Sequence, residues 1–179
     1  ISKCVELAQS RDIELSSFVF PRNQVAHLQV LRDLKFTCYR GAEESWYDCL
    51  PRPLSRVGHL LHRAIAIPPP VYPFPDASSG LVNVPASMFL MPPDGIRGLF
   101  PGRSRVRQAR LGLRRAARSN AIFHLWFHPW NIGPHKQMFG WLEEIFAEVN
   151  LLRSRGEIEV KTMGLLANEA LENLSGEGT

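Results

Sequence analysis

Cysteine is scarce in this chain: Cys4, Cys38 and Cys49 are odd in number, widely spaced and without a C-x-x-C pair. Neither a disulfide framework nor a zinc knuckle is implied, and the three thiols are expected to be small buried residues. Long apolar runs are missing too. None approaches the roughly 20 residues that span a bilayer, so no membrane span is expected. No basic-then-apolar leader opens the sequence, and nothing in it repeats internally.

What is present suits one globular domain: 179 residues, 45% hydrophobic and 21% charged, enough for a full core. The chain opens on Ile1, in what reads as the middle of a helix, and is expected to be a fragment or a processed product.

Charge is unevenly spread. Twenty-one basic residues against 17 acidic give a net +4, and Arg97, Arg103, Arg105, Arg107, Arg110, Arg114, Arg115 and Arg118 crowd one segment. A phosphate-binding face is one reading of that run. However, Val106, Ala109, Leu113, Ala116 and Ala117 recur at helical spacing, which makes a buried stripe with a solvated basic face opposite. No nucleic-acid partner is expected.

Helices and strands alternate along the chain. Residues 1–10 form a first helix, and 17–20 a strand stopped by Pro21, with Arg22 and Asn23 at its carboxyl end. Asn23 also suits the N-cap of a helix over 24–34, where Val25, Leu28, Leu31 and Leu34 keep three-to-four spacing. Residues 35–40 form a second short strand that ends on Arg40 before Gly41. Residues 54–67 read as a helix bearing His59 and His62, a surface pair rather than metal ligands, because no third ligand accompanies them. The proline-rich 68–75 must be an extended loop. Residues 81–91 look like a strand interrupted by Pro85, and 92–102 a turn-rich link. Residues 136–155 carry the clearest helical stripe, with Met138, Trp141, Leu142, Ile145, Val149 and Leu152 on one face and Gly156 as C-cap. A last strand or extended link over 158–162 and a helix over 163–174 follow, with 175–179 fraying.

The chemistry concentrates in 121–133, A-I-F-H-L-W-F-H-P-W-N-I-G. Residues 121–127 are apolar and aromatic, of strand length, and lie between two helical segments, which fits a buried parallel strand. His128 falls at that strand's end, where Pro129 cannot donate the next ladder bond. Strand carboxyl ends line active sites in open α/β sheets and β/α barrels, so His128, beside Trp126 and Trp130, is the leading catalytic candidate. A hydrogen-bonded core histidine is the alternative. Units of helix, strand and strand-end polar residue, at Arg22 with Asn23, Arg40 and His128, argue for a parallel sheet or distorted β/α barrel.

These residues carry a resemblance. S-F-V-F-P-R-N-Q-V at 17–25, F-T-C-Y-R-G at 36–41, L-V-N-V-P-A-S at 81–87, F-H-L-W-F-H-P-W-N-I-G at 123–133 and R-S-R-G-E-I-E-V-K-T-M at 153–163 look like the latter half of a polysaccharide deacetylase, the NodB-homology domain of carbohydrate esterases. The matches span nearly the whole chain in family order. The resemblance implies a partial distorted (β/α) barrel, the C-terminal portion of a hydrolase that removes acetyl groups from N-acetylated polysaccharide with a divalent metal, usually zinc. By that resemblance His128 is the late acid and Arg22 positions an aspartate base. Trp126, Trp130, Asn131 and Asn23 are taken as substrate-binding residues.

The family's paired aspartates and H-x-x-x-H helix belong ahead of the F-P-R-N strand, where this chain has Asp12 but no histidine. The base and the metal ligands are therefore expected upstream of Ile1, with no ion bound by these 179 residues. A half barrel would also leave a sheet edge unpaired, and self-association through that edge is expected. A second reading is a non-catalytic carbohydrate-binding or assembly module, with Trp46, Trp126, Trp130 and Tyr39 as stacking platforms. A third is a regulatory or nucleic-acid-binding domain built on the arginine-rich helix.

Overall fold

The computed structural model describes residues 1–42, 67–77, 79–95, 98 and 101–176. The helix expected over 54–67, with His59 and His62, lies outside these residues except for its last position, and Trp46 and Cys49 lie outside them too. The chain divides into two compact units. The first holds Ile1–Ala42, Phe74–Pro85 and the described part of Lys161–Thr179; the second holds Ala86–Val160 with the described part of Glu43–Pro73.

In the first unit, α1 (Ser2–Gln9) precedes β1 (Ser17–Val19). A 3-10 turn, Pro21–Asn23, leads to α2 (Leu28–Asp33), and β2 (Cys38–Arg40) follows. The helix α2 starts later than the apolar spacing predicts, and Asn23 does not cap it. Arg22, Asn23 and His27 all have positive φ, which no continuing right-handed helix tolerates. Strand β3 (Val82–Asn83) completes a parallel sheet in the order β1-β2-β3.

Two apolar clusters cover this sheet. Phe20, Leu31, Phe36 and Leu81 are buried together, with edge-to-face contacts among Phe18, Phe20, Phe36 and Tyr39. Cys38, Val82 and Val84 pack with Ala167 and Ala170 of α5 (Met163–Gly176). Cys38 is buried as expected, whereas Cys4 is exposed. Helix α1 has no fully buried residue, so nothing in its packing sequesters that thiol.

The second unit holds β4 (Met88–Phe89), α3 (Gly102–Ser119), β5 (Leu125–Trp126) and α4 (Gln137–Ser154), with β4 and β5 paired in parallel. The stretch 81–91 is thus two strands in separate sheets, divided around Pro85. Val106, Ala109, Leu113, Met138, Leu142, Ile145 and Leu152 form one core with Met88 and Leu90. That agrees with both helical stripes. The arginines of α3 are not all solvated: Arg105 is buried over the Trp141 ring, 4.9 Å from its centroid. Arg114 Nε donates to the buried Glu148 of α4 at 2.7 Å.

The central strand is shorter than its apolar run. Ile122 instead exchanges antiparallel bonds with Tyr72 of the proline-rich loop, 3.0 and 2.7 Å long. The His124 N–H is taken by the Ser87 hydroxyl at 3.0 Å. Only Leu125 and Trp126 remain for the parallel ladder. No strand forms over 158–162, where Ile158 simply packs on the core. Among the described residues no barrel closes. No helix among them is long and apolar enough to cross a membrane.

Candidate functional site

In the second unit, the residues around His128 are assembled by strand register. Phe89 of β4 lies opposite Trp126 of β5, and their rings stack at 4.2 Å between centroids. His128 then sits edge-on to both, 5.5 Å from Phe89 and 5.3 Å from Trp126. Its backbone is extended, with φ −94° and ψ 123°, and the 3-10 turn Pro129–Asn131 begins at once. The Asn131 N–H donates to the His128 carbonyl at 3.0 Å. That turn folds Trp130 back onto the imidazole, with centroids 4.3 Å apart and planes 13° apart. Trp130 is nevertheless 70% exposed, so its other face is open. The imidazole is held by three rings at a strand carboxyl end, and one wall of its surroundings is an accessible indole.

The loops after β4 and β5 are joined farther out. His135 Nε2 lies 2.5 Å from Asp94 Oδ1, with Asp94 the more exposed partner. Neither residue stands out in the sequence, since the pair forms only when two separate loops meet. Phe89 reaches the imidazole only through the pairing of β4 with β5, which nothing in the sequence announces. His124, four residues before His128, contributes its main chain to Ser87.

In the first unit, the carboxyl ends of β1, β2 and β3 form a polar rim. Arg22 is exposed and Asn23 half-buried, both in left-handed conformation with φ 55°. Val19 lies opposite Arg40 in the β1–β2 register. Arg40 is only 8% exposed, and its Nη2 donates to the Asn23 Oδ1 at 2.8 Å. Burial pushes the Arg40 guanidinium below its ordinary value, far from any pH at which it would lose its charge. Gly41 follows, and a Cβ there would meet the Asn83 amide at the end of β3. Arg40 was visible in the sequence as a strand-end residue, but its bond to Asn23 was not.

The expected site residues therefore fall into two groups. His128, Trp126, Trp130 and Asn131 share the β5 segment of the second unit, and Arg22 and Asn23 share the turn after β1 of the first. Strand β1 pairs with β2, and β5 with β4, so the strands carrying Arg22 and His128 are not paired neighbours. A cleft of about 460 Å³ lined by Val5, Gln9, Asp12, Glu14, Leu34 and Lys35 also belongs to the first unit. It lies before the starts of β1 and β2, at the end opposite Arg22 and Arg40.

The implied metal finds no home in this set. Among the described residues, no three His, Cys, Asp or Glu side chains gather where they could hold an ion. The rings packed on His128, from Phe89, Trp126 and Trp130, are not metal ligands. The described residues do not fit a zinc centre.

In comparison with known proteins, no family model, curated protein or solved structure matches the chain.

Proposed function

We propose that the chain is part of a polysaccharide deacetylase, a hydrolase of carbon–nitrogen bonds other than peptide bonds that acts in carbohydrate metabolism, on a partial distorted (β/α) barrel. Its substrate is an N-acetylated polysaccharide. The observation that carries the reading is the imidazole of His128 at the carboxyl end of a parallel strand, beside the open face of Trp130. The order of motifs along the chain supports it, as do three strand pairs that are all parallel.

In this reaction water adds to the acetyl carbon, the C–N bond breaks, acetate leaves and the amine takes a proton. His128 gives that proton as the general acid. Arg22 orients the carboxylate base, because a planar guanidinium can hold two oxygens in parallel bonds. Trp130 stacks on the apolar face of a sugar ring and Asn131 bonds a hydroxyl beside it, with Asn23 a further contact to the polysaccharide. The divalent ion, zinc by the resemblance, belongs to the full-length parent, with its ligands outside the described residues. No step through it is assigned to the residues described.

The test is acetate release from chitin oligomers by the full-length protein. His128→Ala should lower turnover by roughly 10²–10⁴-fold, the range for losing a general acid, with metal content unchanged. Loss of the metal in that variant would make His128 a ligand and refute its role as acid.

The exposure of Trp130 also suits a non-catalytic carbohydrate-binding module. Chito-oligosaccharide binding by a full-length protein that never releases acetate would select that reading.

A further inference from the structure

We infer that Arg40 is a positioning residue that fixes, through the Asn23 side chain, the turn on which Arg22 is presented. The inference deepens the deacetylase proposal and rests on its assignment of Arg22 to the base carboxylate. Two successive residues, Arg22 and Asn23, hold φ at 55°. That region is sparsely populated for residues other than glycine and persists only where the surroundings impose it. Asparagine is among the residues that tolerate it; arginine gains nothing from it.

The turn's own backbone bonds do little to impose this conformation. The Asn23 N–H reaches Phe20 at 3.1 Å and the Gln24 N–H reaches Pro21 at 3.2 Å, both at the long end for such bonds. The shorter tie is from Arg40 Nη2 to Asn23 Oδ1, at 2.8 Å. A charged donor makes this bond stronger than a neutral one.

Arg40 is a firm anchor for that tie. It ends β2, the central strand of the three, with β1 paired on one side and β3 on the other. It is 8% exposed, while Arg22 is exposed. A buried guanidinium therefore grips the residue next to an exposed one. The carboxyl-end turn is set by its neighbouring strand rather than by its own sequence. Lysine at position 40 would keep the charge but lose the planar donor geometry.

The experiment combines local amide exchange on the chain with kinetics on the full-length protein. Asn23→Gly removes the acceptor yet permits positive φ without strain, so it isolates the side-chain bond. Arg40→Lys tests the other partner. In both, exchange at the residue 23 and Gln24 amides should quicken about tenfold, with the α3 and α4 amides unchanged. Asn23→Asp, which keeps an acceptor oxygen, should retain the protection.

In the full-length enzyme, Arg40→Lys should lower kcat about tenfold with KM unchanged, because orientation of a base matters in the transition state. Asn23→Gly should lower kcat by the same factor and, having also lost a substrate contact, raise KM. Should Arg40→Lys fail to fold, Asn23→Gly on the half-exposed turn still decides. Unchanged exchange in Asn23→Gly overturns the inference whatever the activity. Faster exchange with kcat unchanged also overturns it, provided Arg22→Lys does lower turnover, and leaves the deacetylase reading standing. If Arg22→Lys has no effect, the role given to Arg22 falls and the exchange result alone judges Arg40.

Discussion

Trp126 and Trp130 stand on one segment, yet they can do different things. Trp126 has Phe89 on one face and His128 against it, whereas Trp130 keeps a face in water. Trp130→Ala should weaken chito-oligosaccharide binding about fivefold, the worth of an aromatic stack near 1 kcal/mol, with little change in melting temperature. Trp126→Ala should instead cost about 2 kcal/mol of stability by removing a packed ring. Calorimetric titration beside thermal melts separates the two; equal effects on binding would return Trp126 to the platform. Cys38 tests the pH response. Its thiol is fully buried, and burial pushes its pKa up against a smaller opposing pull from the Thr37 hydrogen bond. An unfolded thiol ionises near 8.5. Below that pH both states keep the proton and the stabilising contribution is whole. Above it the unfolded chain releases its proton first, so stability falls until the higher folded value is reached. Chemical unfolding followed from pH 7 to 10 should show this decline, and Cys38→Ala should flatten it.

At the scale of elements, one substitution should have opposite signs in two helices. Gly140 lies inside α4 with nothing near the place a Cβ would take. Gly140→Ala should stabilise by about 0.5–1 kcal/mol, the ordinary helix preference. Gly112 lies inside α3, where a Cβ would run into the Phe123 ring. Gly112→Ala should destabilise by about 1 kcal/mol despite the same preference, because overpacking costs more than propensity returns. Phe123→Leu in the same chain should reverse the sign, which thermal melts can check.

The α4 stripe was legible because Met138, Leu142, Ile145 and Leu152 recur on one helical face and meet one core. His128 was legible because Pro129 ends a strand wherever it falls. Asn23 misled as an N-cap: the cap rule is local, while the side chain answers to Arg40 on another strand. The apolar run 121–127 misled in the same way. Its composition permits a long strand, but Tyr72 and Ser87 take the backbone groups that would have extended one. Contacts such as Phe89 on His128 and Asp94 on His135 have no local signature at all.

For the molecule as a whole, strands β1 and β3 flank the first sheet with one edge each unpaired among the described residues. Such edges invite a second chain. Sedimentation of the 179-residue chain should therefore show concentration-dependent association that salt does not disperse. The same protein, dialysed, should hold no stoichiometric zinc and release no acetate from chitin oligomers. One tightly held equivalent with measurable release would show that the chain builds its own centre. The two units also allow damage to be read separately. Ala167 is fully buried against the first sheet, and Ala167→Leu should cost roughly 1–3 kcal/mol by overpacking. Exchange should quicken in β2 and β3 while α3 and α4 keep their protection.

That cluster joins residues far apart in the chain: Cys38 and Val82 are covered by Ala167 and Ala170. During synthesis the ribosome delivers β1, β2 and β3 early and α5 last among the elements described. The apolar face of the first sheet is thus translated long before its cover, and in the interval β4, α3, β5 and α4 must emerge. Contacts closed over so many residues form slowly. The nascent chain spends that time with a sticky sheet face in the open, the condition in which holding chaperones matter most. Slowed translation within the α3–α4 region should lengthen the wait and lower the soluble yield, while the α5 sequence itself stays unchanged.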